Sequence, residues 1–577
     1  MHAVETVLGL LVAVCALFVL ARRVSVPYSI LLVLGGLGLS LVPGLPQVEL
    51  EPELVFVLFL PPLLTAAAWN TNWRDFKANL QPIVLLAVGL VFATTFAVAT
   101  AVRVVVPEMP WAVALVLGAI VSPPDAVAAT SIAQLLGVPR RVVTILEGES
   151  LVNDASGLVA YRFAVAAVVT GHFSPVEAGA QFLLLATGGV AVGLAAGWLL
   201  AFLQRQVEET PVEIALTLLG SYGAYLLGEQ LHLSGVLAAV TVGLYHRRLS
   251  SKIMSPVTRI QAIAVWNMVV FVLNGLAFIL IGLQLPTIVE GLTEYTPATL
   301  AFYATVASAA AILVRLVWVF LFAYGPRWLS ASLRRRDPIA WRPVLVVGWT
   351  GMRGVVSLAA ALAVPTLTAS GAPFPQRNLI LFLSFSVILV TLVLQGLTLP
   401  PLIRLLGLGD DGQGEREERF ARQQAAAAAL ACIDTLVRER PAECAATPLV
   451  AAMRQHYADR LRIYAEEVVA ESSIHLTCKL AIEAELQHRL LAAERERVLQ
   501  LRAEGLIDDE ALLAIERDLD IEELRLARVR ALVQRGLGAV GTPCRLPSIG
   551  RSAPSASMNP VASPEGREGH CNSEPTP

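Results

Sequence analysis

The chain has 577 residues, of which 56% are hydrophobic and only 15% charged, with a formal net charge of -3 and a mean hydropathy of +0.66. Soluble domains average about 25% charged residues, so this composition excludes a disordered chain, a collagen and a nucleic-acid binder. It also argues against an ordinary cytosolic enzyme, because one soluble core could not hide so much apolar surface.

From Val4 to Leu402 the sequence is a train of apolar runs, and spanning hydrocarbon takes about 20 apolar residues per helix. Spans are predicted at 4–20, 28–42, 54–69, 80–106, 111–137, 142–169, 180–202, 212–229, 234–245, 263–285, 298–324, 344–367 and 378–402. Some are short, so 12 competes with 13 as the count, and the loops decide. Those after odd-numbered spans carry Arg22, Arg23, Arg74, Lys77, Arg140, Arg141, Arg205, Arg247, Arg248, Arg334, Arg335 and Arg336, among others. Those after even-numbered spans carry only Arg377, with acids such as Glu49, Glu51 and Glu290. Cytoplasmic loops hold the Lys/Arg excess. The expectation is therefore an N-terminus outside, a C-terminal tail in the cytoplasm and a multi-pass protein of the cytoplasmic membrane. The first span has its arginines after it, not before, which is not the pattern of a secretory signal.

After the membrane part, Gly407 to Gly414 reads as a flexible acidic linker. Charge then becomes dense, and helices are expected near 415–438, 449–503 and 509–535. Val450, Met453, Tyr457, Leu461, Tyr464 and Val468 recur at helical spacing, giving one apolar face. This favours a solvated helical hairpin, packed on itself or on a sister tail, over a regulatory domain. The domain boundaries are thus 1–405 for the membrane part, 406–540 for a cytosolic helical tail and 541–577 for a Ser-, Pro- and Gly-rich disordered end. Five of the six cysteines fall after residue 405, and no two make a C-x-x-C pair. They suit reduced cytosolic thiols better than a zinc or redox site.

Ionisable residues inside spans carry the functional signal. Asp125, Glu147, Glu149, Asp154 and Arg353 would each cost about 2.5–3.5 kcal/mol unpaired at the centre of a membrane helix. They must pair or line a wet cavity. Counting at 1.5 Å per residue from the Arg140–Arg141 turn, Asp125 and Asp154 both lie roughly 20 Å deep. Two antiparallel helices thus bring two carboxylates to one level. Pro123 and Pro124 break the fifth span just before Asp125. Gly351 and Gly354 interrupt the twelfth around Arg353. Span 5 is the middle of spans 4–6 and span 12 the middle of spans 11–13, and the two triplets run in opposite directions. Interrupted helices at matching places in inverted repeats point to a transporter's substrate site. The expected fold is therefore all-α, with about 13 transmembrane helices, inverted repeats and helices 5 and 12 broken. Asp154 is the candidate carboxylate for a proton or metal cation, with Asp125 as second carboxylate, Ser150 as hydroxyl ligand and Asn153 as amide neighbour. Glu149 or Glu147 is expected to pair with Arg353 in a structural role, since arginine holds its proton.

The run Glu147-Gly148-Glu149-Ser150-Leu151-Val152-Asn153-Asp154, with Asp125 upstream and Arg353-Gly354-Val355-Val356-Ser357 downstream, resembles the monovalent cation:proton antiporter-1 family, the bacterial sodium/proton exchanger type. Phe59-Leu60-Pro61-Pro62-Leu63-Leu64 resembles that family's third helix, and the likeness covers roughly residues 1–405. The resemblance implies a homodimeric 13-span antiporter in the lipid bilayer, with a dimer domain and a six-helix core. It implies no cofactor beyond the transported Na+ and H+, and no nucleic-acid partner. Asn153-Asp154 matches the pair associated with electroneutral exchange, and Glu149 with Arg353 matches a structural ion pair. Two positions depart from the family. Thr65-Ala66-Ala67-Ala68 lacks the acid that usually follows the Leu-Pro-Pro stretch, and Pro124 stands where Thr often precedes the helix-5 Asp. The leading expectation is Na+/H+ exchange, with K+/H+ exchange as its near rival. An intramembrane aspartyl protease is disfavoured, because neither Asp sits in a Tyr-Asp or Gly-x-Gly-Asp context. A channel would show flux without proton coupling.

Overall fold

The computed structural model describes residues 2–24, 26–42, 52–171, 175–292, 294–329, 340–369, 371–409, 412–441, 448–465 and 471–527, less 505, 507–510, 513–514 and 517. The chain divides into two compact units, Met1–Gln413 and Gly414–Pro577.

Among its described residues the first unit is all helical, apart from an isolated bridge between Leu367 and Pro373. Its helices are α1 (His2–Val24), α2 (Tyr28–Ser40), α3 (Pro52–Asn70), the short α4 (Trp73–Ala78) and α5 (Leu80–Val84), then α6 (Val91–Val105), α7 (Trp111–Val121) and α8 (Ala126–Leu135). They continue with α9 (Arg140–Thr170), α10 (Pro175–Gln204), α11 (Thr210–Gln230), α12 (Gly235–Ile253), α13 (Pro256–Glu290) and α14 (Pro297–Leu329). The last four are α15 (Trp341–Trp349), α16 (Val355–Leu362), α17 (Arg377–Val390) and α18 (Gly396–Leu406). A π-helical turn at Leu85–Leu90 joins α5 to α6, and another at Thr391–Gln395 joins α17 to α18.

These elements make thirteen passes in the expected order. Among the described residues, eight are long and apolar enough by themselves to cross a bilayer, and α2 and α3 are shorter apolar helices. α11 and α12 are less apolar because Glu213, Glu229, Arg247, Arg248 and Lys252 sit near their ends. The remaining pass is the α15–α16 pair. Passes 5 and 12 are broken as the Pro123-Pro124 and Gly351–Gly354 stretches require, between α7 and α8 and between α15 and α16. The tandem prolines elsewhere, Pro61-Pro62 and Pro400-Pro401, stay inside continuous helices.

Without a hydrophobic drive between lipid-bathed helices, close packing rests on small residues. α2 and α13 meet backbone to backbone at Gly36 and Gly282. A Cβ on Gly36 would strike the Ile279 carbonyl, and one on Gly282 the Val33 carbonyl. The outward faces are apolar instead, as at Val12 and Leu183, 70% and 63% exposed.

In the second unit, α19 (Gln413–Glu439), α20 (Pro448–Ala465) and α21 (Glu471–Ala503) match the expected helical tail. Arg495 bonds Asp520 and Glu523 at 2.6 and 2.9 Å, and Leu491, Leu519 and Leu526 are buried together. The chain therefore turns back on α21, as in a hairpin. On the expected apolar face of α20, Val450, Tyr457, Leu461 and Tyr464 are half-buried and Met453 is 51% exposed. Val468 and the expected disordered end at 541–577 lie outside the described residues.

Replacing Gly282 with Val should force α2 off α13 and lower stability by about 1–3 kcal/mol. Thermal unfolding of the detergent-solubilised chain would read this as a lower midpoint.

Candidate functional site

A helix broken inside hydrocarbon exposes four N–H groups at one new end and four carbonyls at the other. No bulk water reaches them there, so the protein must satisfy them itself. Here passes 5 and 12 cross at their breaks. The Asp125 N–H donates to the Met352 carbonyl at 2.6 Å, so the two unwound segments are stitched together directly.

Two side chains answer the four helix ends. Asp125 is the N-cap of α8, with Oδ1 accepting from Val127 N–H at 2.8 Å. Its carboxylate also accepts from Val355 N–H, at the start of α16. One anion thus caps two helix N-termini, where the peptide dipoles carry partial positive charge. Arg353 does the converse. Its Nε donates to the Val121 carbonyl, the last residue of α7, at 2.9 Å. Its Nη1 donates to the Gly351 carbonyl, just beyond the end of α15. One cation thus covers two helix C-termini. Thr391, in the second π-helical turn, accepts the Arg353 backbone N–H at 3.2 Å.

The glycines of pass 12 are needed for these approaches. A Cβ on Gly354 would overlap the Asp125 carboxylate, and one on Gly351 would lie 2.7 Å from Arg315 Cδ. Pro123 and Pro124 leave the chain without donors at the break. The Pro124 carbonyl accepts from Asn153 Nδ2 at 2.8 Å, which ties α9 to the crossing.

Asp154 lies one residue further along α9, 5% exposed. Among the described residues no donor reaches its carboxylate, and Asp125 is close enough to act on it electrostatically. The buried Asn153 Oδ1 also has no protein partner. Ser150, one turn before Asp154, is half-buried. Of the expected site residues, Asn153, Asp154 and Ser150 thus lie within one turn of α9, while the Asp125 carboxylate is engaged at the crossing. Among the described residues no three or more His, Cys, Asp or Glu side chains gather as a metal cluster. Beyond Glu53 at its start, α3 carries no acid. Thr65 Oγ1 is bonded to Ser221 Oγ at 2.8 Å and donates to the Ala239 carbonyl at 3.2 Å, while Ala66 packs beside Ile214 and Trp266.

The expected Glu149–Arg353 pair does not form. Glu149 is held instead by Arg315, midway along α14, through Nη1–Oε1 and Nη2–Oε2 contacts of 2.5 and 2.8 Å. Both side chains are buried, at 2% and 1% exposure. Arg315 Nε also donates to the Val347 carbonyl at 3.2 Å, fixing the fork. Arg353 has similar depth, but the carbonyls of the two broken helices engage its guanidinium. Arg315 escapes the reading of the sequence, although an arginine in the middle of an apolar run is itself the signal. Among the described residues Glu147 takes no arginine partner either; its Oε1 accepts from Gln134 Nε2 at 3.2 Å.

Removing one partner of a buried ion pair leaves an uncompensated charge and costs about 3–5 kcal/mol. Arg315→Ala should lower the detergent melting midpoint steeply. Arg315→Leu with Glu149→Leu should recover much of it, since both charges then leave together.

Comparison with known proteins agrees with this geometry. Residues 9–405 match the family described as sodium/hydrogen exchanger, transmembrane. An uncharacterized Na+/H+ exchanger of Mycobacterium tuberculosis is 35% identical, over 90% of this chain and 95% of the relative. The Na+/H+ antiporter ApNhaP of Aphanothece halophytica is 35% identical, over 71% and 76%. A sodium, potassium, lithium and rubidium/H+ antiporter of Bacillus subtilis is 36% identical, over 64% and 56%. The sodium proton antiporter MjNhaP1 of Methanocaldococcus jannaschii has the same fold, with a TM-score of 0.55 at 19% identity over 70% of this chain and all of that one. This chain belongs to the sodium/hydrogen exchanger family of membrane transporters.

Proposed function

We propose that the protein is a secondary antiporter that exchanges Na+ for H+ across the plasma membrane, with Asp154 carrying either ion in turn. The observation behind this is the contrast between the two aspartates. Asp125 is committed to the N-termini of α8 and α16, whereas Asp154 is buried with no donor on its carboxylate among the described residues. A buried carboxylate without fixed partners is neutralised by whichever small cation arrives, H+ or Na+. Competition for one carboxylate couples the two fluxes.

The remaining parts follow from the same reading. One titrating carboxylate favours a one-for-one, electroneutral exchange. Ser150 and Asn153 complete the cation's oxygen shell, and Asp125 holds the crossing with Arg353. Residues 1–405 form the transporting domain, which works as a homodimer by alternating access. Residues 406–540 form a cytosolic accessory domain. The basic loops on one side support an N-terminus outside and a tail in the cytoplasm. K+ is the rival cation, because the Bacillus subtilis relative is named for both.

In vesicles carrying a pH gradient, Na+ should collapse the gradient. Li+ and K+ added in turn rank the preference, and no response to any of the three would refute antiport. Asp154→Asn should abolish exchange in a chain that still folds, whereas retained exchange would remove Asp154 from the mechanism. Truncation after Gly409 should leave measurable exchange; its complete loss in a folded protein would make the tail part of the transport unit.

A further inference from the structure

Asp154 is reached differently from its two ends. Away from the Arg140–Arg141 turn, Ala155 and Leu158 of α9 pack in one apolar cluster with Leu60, Val236 and Val240. Further along, Arg162 Nη2 bonds Glu229 Oε2 at 2.6 Å, joining α9 to α11. That direction is sealed by apolar contact with an ion pair at its rim.

The other direction, toward the Arg140–Arg141 turn, is polar. Glu147, Ser150 and Asp154 fall at three- to four-residue spacing, so they share one stripe of α9. Seven residues place Glu147 about 10 Å from Asp154 along the axis. Ser150 and Glu147 are half-buried where Asp154 is buried, so exposure grows along the stripe. α8 runs beside it with Ser131 and Gln134 exposed. The Gln134 amide holds the Glu147 carboxylate in place at 3.2 Å. Among the described residues Glu147 is in no ion pair: Arg140 acts on it from a distance, while Arg140 Nε bonds Asp75 at 2.9 Å.

We propose that Glu147 is the carboxylate at the mouth of the ion path on the Arg140–Arg141 side, a positioning residue that gathers cations toward Asp154 from that side alone. This rests on the antiport reading and on the stripe that joins the two acids. A negative charge in a half-dry mouth raises the local cation concentration, and added salt screens it. The cation then loses water in steps, first at Glu147, next at the Ser150 hydroxyl and last at Asp154.

The test uses the full chain in proteoliposomes sorted by orientation, with Na+ titrated from either face. Wild-type protein must exchange first; its failure to do so overturns the antiport reading and this one with it. Glu147→Gln is expected to raise KM for Na+ about three- to tenfold on the Arg140–Arg141 side, with kcat and the opposite KM unmoved. The shift should shrink in high choline chloride, and Glu147→Asp should restore most of the affinity. With an active wild type, an unchanged KM, an equal rise on both faces or a fall in kcat alone would overturn the role of Glu147 and leave the antiport reading standing.

Discussion

The structure depends on the answer to one electrostatic problem. Two membrane helices are broken at the same depth, leaving two positive and two negative helix ends in a region without bulk water. Asp125 lies at both positive ends and Arg353 at both negative ones. Each charge would cost several kcal/mol alone in the bilayer, and each broken end would too. Together they cancel, so the break can persist and hold unwound backbone at mid-membrane. Gly354 and Gly351 follow from this, because any side chain there would push the charged groups away from the ends they neutralise.

That arrangement determines what is left over. Asp125 has backbone donors, Arg353 has carbonyls, Glu149 has Arg315, and Asn153 has the Pro124 carbonyl. Asp154 is the buried charge near the crossing with no such partner among the described residues. Stability and transport ask for opposite things of a carboxylate. A structural acid should be fully bonded, whereas an acid that exchanges ions must not be. In the proposed exchange, separating the duties between Asp125 and Asp154 would let the crossing stay rigid while one site stays exchangeable.

Much of the scaffold was legible in the sequence. The apolar runs predict the order of the passes, Pro123-Pro124 locates one break and Gly351–Gly354 the other. The depth of Asp125 and Asp154 follows from counting residues to one basic turn. What spacing could not supply was partner choice. Glu149, Arg315 and Arg353 all have suitable depth, and which arginine meets the acid depends on the rotation of α14 and on where the ends of α7 and α15 point. These are differences of a few ångströms across 166 residues of chain. The π-helical turn at Thr391, which supports Arg353, has no sequence signature at all.

The missing acid on α3 bears on stoichiometry. Where the family usually adds a carboxylate after Leu-Pro-Pro, this chain has Thr65 bonded within the scaffold to Ser221 and Ala66 packed against Trp266. A cation at Asp154 would then be neutralised by one exchangeable charge and finished with neutral oxygens. A second free carboxylate would strengthen cation binding, but it would also bind a proton of its own and disturb one-for-one competition. Neutral ligands do neither. Because the Asp125 charge is already matched by two helix ends, the proposed exchange would close the local balance at the crossing with a single ion on Asp154, proton or metal cation, without any other group changing charge.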